Sequence, residues 1–126
     1  MKHTDYLIET DILVEHLTHK NDGTESILET FMQKGVCFTS VINASELLFA
    51  LNSEKEIDSA IRLLSSLKVL GLNSRYSLNL AGLKNKLNNT RDALIFILAK
   101  LNKLKIITSD KVKYNKITKQ VKVINP

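Results

Sequence analysis

The sequence predicts an α/β fold in three layers, with a central parallel sheet of four to five strands between helices. Three observations predict it. Short apolar runs at 6–8, 36–39, 68–72 and 106–107 alternate with segments of helical periodicity, the order that β-α crossovers produce. The runs lack polar alternation, as strands covered on both faces do. Segment 93–101 is apolar nearly all round and reads as a central buried helix.

In chain order, Tyr-Leu-Ile at 6–8 is the first strand, and it runs straight into Glu9 and Asp11. Ile12 to Leu17 continues as a helix. Both carboxylates therefore sit at or just past a strand's carboxyl end, the edge at which open α/β sheets bind ligands. A plainer reading also stands: Asp11 caps the helix and Glu9 is a solvated edge charge. Thr18 to Gly23 is a polar loop. Thr24-Glu25-Ser26 starts a helix whose apolar face is Ile27, Leu28, Phe31 and Met32, and Gly35 is expected to close it. Val36 to Thr39 is the second strand. Ser40 is an N-cap for a helix over Val41 to Leu51. Ile57, Ile61, Leu64 and Leu67 mark the next helix, and Lys68 to Leu72 the third strand. A helix is expected over Asn73 to Leu87 with Leu78, Leu80 and Leu83 inward, then a turn at Asn88-Asn89-Thr90. Ile106-Ile107 is a strand that stops at Thr108-Ser109-Asp110, and Val121 to Ile124 a last, edge strand.

The 126 residues suit one domain with a substantial core. No run of 18 apolar residues offers a membrane span. The N-terminus lacks a basic segment followed by an apolar stretch, so no secretory signal is expected. The single Cys37 excludes an internal disulfide and fits a reducing, cytoplasmic setting, where it reads as a core filler. Charge is uneven. Residues 1–58 hold eleven Asp or Glu against four Lys or Arg, and residues 59–126 hold fourteen Lys or Arg against Asp92 and Asp110 alone. A basic half suits a polyanion partner, and equally a lysine-rich solvated face.

The placement of the acids is more informative. Asp110 closes the fourth strand as Glu9 closes the first, and Asp92 opens the buried helix before it. In a parallel sheet, strand carboxyl ends and the N-termini of the following helices share one edge. Glu9, Asp11 and Asp110 are expected to converge there, and Asp92 joins them if its helix start points the same way. Helix capping would explain Asp92 as well. Glu46 has Ile42, Phe49 and Ala50 as helical neighbours, so it is expected to face inward, about 9 Å along the helix from Ser40. A buried carboxylate needs a partner. That partner would be a lysine or arginine, or a hard divalent cation with oxygen ligands. Carboxylates crowded around one or two such cations can direct attack of water on a phosphodiester.

These residues also carry a family pattern. The chain resembles PIN-domain proteins of the VapC-like toxin type nearly end to end, as one domain over residues 1–126. YLIETDILVEHL (6–17) resembles the family's opening strand and helix, and FTSVINASELLFAL (38–51) its second strand and acidic helix, with Glu46 at the glutamate. RDALIFILA (91–99) resembles the third acidic motif through Asp92, and IITSDK (106–111) the fourth through Asp110. The resemblance implies a PIN fold and a Mg²⁺- or Mn²⁺-dependent endoribonuclease. It implies catalysis by Glu9, Glu46, Asp92 and Asp110, with Asp11 either an additional metal ligand or the first ligand in place of Glu9. It also implies a homodimer and a cognate antitoxin. Thr10 would match the threonine after the first acid, and Thr108 or Ser109 would support the metal-bound water. Two positions depart from the pattern. Glu9 stands where the family has aspartate, with Asp11 in the Asn/Ser position, and Tyr114 stands where Phe is frequent.

Other chemistries find less support. His16 and His19 have zinc-compatible spacing but no third ligand nearby in sequence. There is no glycine-rich phosphate loop among four glycines. Ser40 and Ser109 have no evident histidine partner. Two rival functions remain: a PIN-like module that binds RNA or protein with weak catalysis, and a phospho-acceptor receiver domain. The receiver would need an aspartate after the third strand, where this chain has Asn73 and Ser74.

Overall fold

Five short strands hydrogen-bond in the order β3-β2-β1-β4-β5, every pair parallel. They are β1 (Asp5–Ile8), β2 (Val36–Ser40), β3 (Lys68–Leu70), β4 (Lys105–Ile107) and β5 (Val123–Ile124). Among the described residues, six helices connect them: α1 (Thr10–Thr18), α2 (Ile27–Met32), α3 (Val41–Phe49), α4 (Glu54–Ser65), α5 (Ser74–Leu78) and α6 (Thr90–Leu101), with a 3₁₀ turn at Leu80–Leu83. This computed structural model describes residues 4–20, 22–87, 89–117 and 121–126. Asn21 of the expected loop and Asn88 of the expected turn lie outside them.

Alternation along the strands builds a core on each side of the sheet. Leu7 and Ile106 pack on one face with Ile95, Phe96 and Leu98 of α6. Tyr6, Ile8 and Ile107 pack on the other with Leu13, Leu28, Leu47 and Leu63 from α1 to α4. The result is the expected three-layer α/β/α arrangement, and α6 is the buried central helix. The chain leaves β1 toward β2 and β3 on one side and occupies β4 and β5 on the other. The carboxyl ends of β1 and β4 therefore flank the point where strand order reverses, where a crevice opens in such sheets.

Several local expectations differ from the structure. Gly35 does not cap α2; Gln33 does. A Cβ at Gly35 would lie 1.9 Å from the Thr4 carbonyl oxygen, so glycine is there for close backbone approach where Val36 N–H bonds Thr4. Met32 and Ile61 are exposed, and Ala60, Leu63 and Leu67 supply the buried stripe around α4. The expected helix 73–87 is split. The Asn79 amide bonds back to the Arg75 carbonyl and ends α5, and Leu78 is exposed. The largest correction concerns Glu46. The buried side of α3 is Asn43 and Leu47, whereas Glu46, Ala50 and the almost fully exposed Phe49 lie off it. Glu46 stands on the rim of a cleft, not in the interior.

Candidate active site

Glu9 is the centre of the cleft. It follows β1 directly and occupies the N-cap position of α1. Its N–H bonds Ile107 of β4 at 3.1 Å, so the residue is stitched between the two strands at the reversal point. Its side chain is fully buried and accepts from several donors. Oε1 receives Asn43 Nδ2 at 2.8 Å and Arg91 Nη2 at 2.7 Å. Oε2 receives Arg91 Nη1 at 3.0 Å and the Tyr114 hydroxyl at 2.6 Å, with Lys113 Nζ 3.7 Å away. Burial alone would raise the carboxyl pKa. The Arg91 bonds and charge, the Tyr114 hydroxyl and Lys113 outweigh it and hold the group below its ordinary range. Burial, and then the Glu9 charge, push the Tyr114 phenol upward, so it stays a donor.

Asn43 is in place because α3 starts with a capping box. The Ser40 hydroxyl accepts from Asn43 N–H, and Ser40 N–H bonds the Asn43 side-chain oxygen. That leaves the amide nitrogen of Asn43 to reach Glu9 and the Thr10 hydroxyl. One turn on, Glu46 receives the Thr10 hydroxyl and is bound by Arg91 through Nη2 at 2.8 Å and Nε at 3.1 Å. The Arg91 bond is the main cause of a lowered Glu46 carboxyl pKa, against a smaller opposing effect of burial.

Arg91 and Asp92 come from the first turn of α6. This helix precedes β4 and runs back across the sheet, which carries its N-terminus to the carboxyl edge. Asn89 is its N-cap and accepts from Asp92 N–H at 2.8 Å. The buried Asp92 carboxylate accepts Arg91 Nη1 at 2.9 Å and the Asn89 amide at 3.2 Å. One guanidinium thus bonds three carboxylates from three elements. Burial works against its charge, but Glu46, Glu9 and Asp92 push its pKa up overall.

The remaining two candidates are placed differently. Asp11 lines the cleft and ties α1 to the end of β4: Oδ2 accepts the Thr108 hydroxyl at 2.9 Å and Ser109 N–H at 2.7 Å. Asp110 does not line the cleft. Its carboxylate accepts Val112 N–H and Lys113 N–H within its own turn, and these bonds lower its pKa. The cleft itself is open, about 570 Å³, walled by Thr10, Asp11, Val14, Glu46, Asn89, Arg91, Asp92 and Lys113.

An all-oxygen set of carboxylates has the donor chemistry of a Mg²⁺ or Mn²⁺ site, and three of them already share a cation, the Arg91 guanidinium. Among the described residues, no group of three or more His, Cys, Asp or Glu is arranged to hold a metal ion. The carboxylates suit a hard cation in kind, and the Arg91 guanidinium lies among three of them. A family model for the PIN domain matches residues 6–119. The chain belongs to the PIN-domain family. Solved structures agree in fold. VapBC2 from Rickettsia felis bound to a promoter DNA fragment is 17% identical, covers 96% of this chain and 98% of its own, and superposes with a TM-score of 0.77. A toxin–antitoxin complex from Klebsiella pneumoniae is 16% identical, with coverage of 94% and 95% and a TM-score of 0.75. VapBC-1 from nontypeable Haemophilus influenzae is 20% identical, with coverage of 97% and 98% and a TM-score of 0.74. A search of curated proteins gave no match.

For this PIN domain, sequence reasoning found the acids but not the groups that hold them. Asn43 lies inside the acidic helix, where Ser40 three residues earlier signals a capping box. Tyr114 reads as a packing residue, and it is also the hydroxyl that closes on Glu9. A lysine or arginine is an expected partner for Glu46, and nothing in the sequence singles out Arg91. His16 and His19 instead brace the link between α1 and α2, through Ser26 at 2.7 Å and through Glu15 and Thr24 at 3.0 Å. Cys37 is buried, which pushes its thiol up to about 11, a value for an unreactive group. No helix among the described residues is long and apolar enough to cross a membrane.

Proposed function

We propose that the protein is a metal-dependent endoribonuclease, the toxin of a type II toxin–antitoxin pair, that hydrolyses RNA phosphodiester bonds by metal-activated water. The observation that carries this reading is the convergence of Glu9, Glu46 and Asp92 on one cation at the reversal point of the sheet. Its PIN family membership and the toxin–antitoxin complexes that share its fold support the same reading. Mg²⁺ or Mn²⁺, when bound, supplies Lewis acidity that acidifies water and offsets charge on the phosphate. Glu9, Glu46 and Asp92 would hold it with Asp11, and Asp110 would join them by leaving its turn.

The chain's own groups do the positioning. Thr10 fixes Glu46, Asn89 fixes Asp92, and Thr108 with Ser109 fixes Asp11. Lys113 and Arg91 line the cleft as cations for an entering phosphodiester. A cognate antitoxin and a second copy of this chain are the expected partners, in the cytoplasm.

The test is cleavage of single-stranded RNA with Mg²⁺ or Mn²⁺. Asp92→Asn and Glu46→Gln should each cut at least about 100-fold more slowly than the parent, and Asp110→Asn measures whether that carboxylate takes part. Equal rates in the parent, Asp92→Asn and Glu46→Gln would refute the assignment. One observation favours a second reading, a PIN-like module that binds RNA or protein with weak catalysis: the Glu9 carboxylate is enclosed by Arg91, Asn43 and Tyr114. Calorimetry with Mn²⁺ separates the two, since only the nuclease binds it.

A further inference from the structure

We infer that Arg91 is an exchangeable counter-ion which couples the two ligands of this cleft: it competes with a divalent cation for the carboxylates and yields to it when a phosphodiester takes up the guanidinium. The inference rests on the nuclease reading above and adds the residue that would set the order of binding.

The contacts define the competition. Nη2 lies 2.7 Å from Glu9 Oε1 and 2.8 Å from Glu46 Oε1, Nη1 lies 3.0 Å from Glu9 Oε2 and 2.9 Å from Asp92 Oδ1, and Nε lies 3.1 Å from Glu46 Oε2. Those are the oxygens a hard cation would need. A guanidinium and a divalent ion cannot share them at bonding distance, because like charges repel strongly where water is sparse. The cation therefore binds only as Arg91 withdraws.

Withdrawal is open to this chain for two reasons. First, each carboxylate keeps a donor that does not depend on Arg91. Glu9 keeps Asn43 and Tyr114, Glu46 keeps the Thr10 hydroxyl, and Asp92 keeps the Asn89 amide. The buried acids are not stranded when the guanidinium leaves. Second, Arg91 is at the solvent side of the cluster, with its side chain 23% exposed and that of Glu46 40% exposed, whereas Glu9 is 1% exposed. A phosphodiester offers the same planar fork a matching pair of oxygens. With no phosphate present, Arg91 prefers the carboxylates and holds the metal affinity down. With phosphate present, the carboxylates are released.

The test is calorimetric titration of the full chain with Mn²⁺, with and without a short 2′-O-methyl oligoribonucleotide confirmed intact afterwards. In the parent, the oligonucleotide should tighten Mn²⁺ at least about 5-fold. Arg91→Met should bind Mn²⁺ at least about 5-fold tighter than the parent without oligonucleotide and lose the coupling. Arg91→Lys, which keeps the charge without the fork, should fall between and serves if the Met variant does not fold. Mn²⁺ binding of equal strength in parent and variants, or no coupling in the parent, would overturn the role of Arg91 and leave the nuclease reading standing. No Mn²⁺ binding in any of the proteins would overturn both.

Discussion

The Glu9 side chain reaches far enough for its carboxylate to meet Asn43, Arg91 and Tyr114 together. Tyr114 supplies a hydroxyl that donates to the Glu9 carboxylate at 2.6 Å. Charge is tolerated in that buried place because it is paired. The consequence is measurable. Glu9 and Glu46 titrate below their ordinary 4.5 in the folded protein. Their contribution to stability is fully present above that value and is lost as pH falls through the lower folded values. Between about pH 5 and about pH 3 the urea midpoint should fall further in the parent than in Glu9→Gln, where one of these contributions is already missing. Equal falls would take Glu9 out of the account. Asp92 and Asp110 were legible in the sequence because their half of the chain holds no other acid, and Glu9 because it ends the first strand. Arg91 was not, because it is one basic residue among fourteen in that half, and no spacing rule marks which cation faces inward.

Elements were easier to read at their starts than at their ends. Ser26 and Ser40 both form capping boxes, and each box uses side chains visible in sequence. Ends depend on tertiary contact. Gly35 has the composition of a C-cap, but what requires glycine is the Thr4 carbonyl beside it. Gly35→Ala should therefore destabilise by at least about 1–3 kcal/mol, read as a lower melting temperature. Gly71→Ala, where nothing lies within 4 Å of the added carbon, should be close to neutral. Similar effects for both would reject the close-approach explanation. The misreading of Glu46 has a comparable origin. Its helical neighbours are apolar, yet Phe49 is 97% exposed and Ile42 only half-buried. Periodicity finds an apolar stripe without saying what covers it, and on α3 the covered side is one residue round, at Asn43 and Leu47.

At the scale of the whole molecule, strand order does what no single motif does. Glu9 and Asp92 are far apart in the chain, but β1 and β4 are neighbours in register, with Ile8 opposite Ile107, and α6 returns its first turn to the same edge. Alternating strands and helices were enough to predict that edge, because parallel sheets leave little freedom in where their carboxyl ends lie. Finer placement was not predictable: Asp11 takes the Thr108 and Ser109 donors, and the neighbouring Asp110 turns into its own loop. The claim on which the account depends is that carboxylates from the β1 end, α3 and α6 form one cation site. Paramagnetic broadening of amide NMR signals by substoichiometric Mn²⁺ tests it directly. Signals of Thr10, Glu46, Arg91 and Asp92 should broaden first. Broadening that begins instead at the exposed acids of α4, Glu54, Glu56 and Asp58, would contradict it.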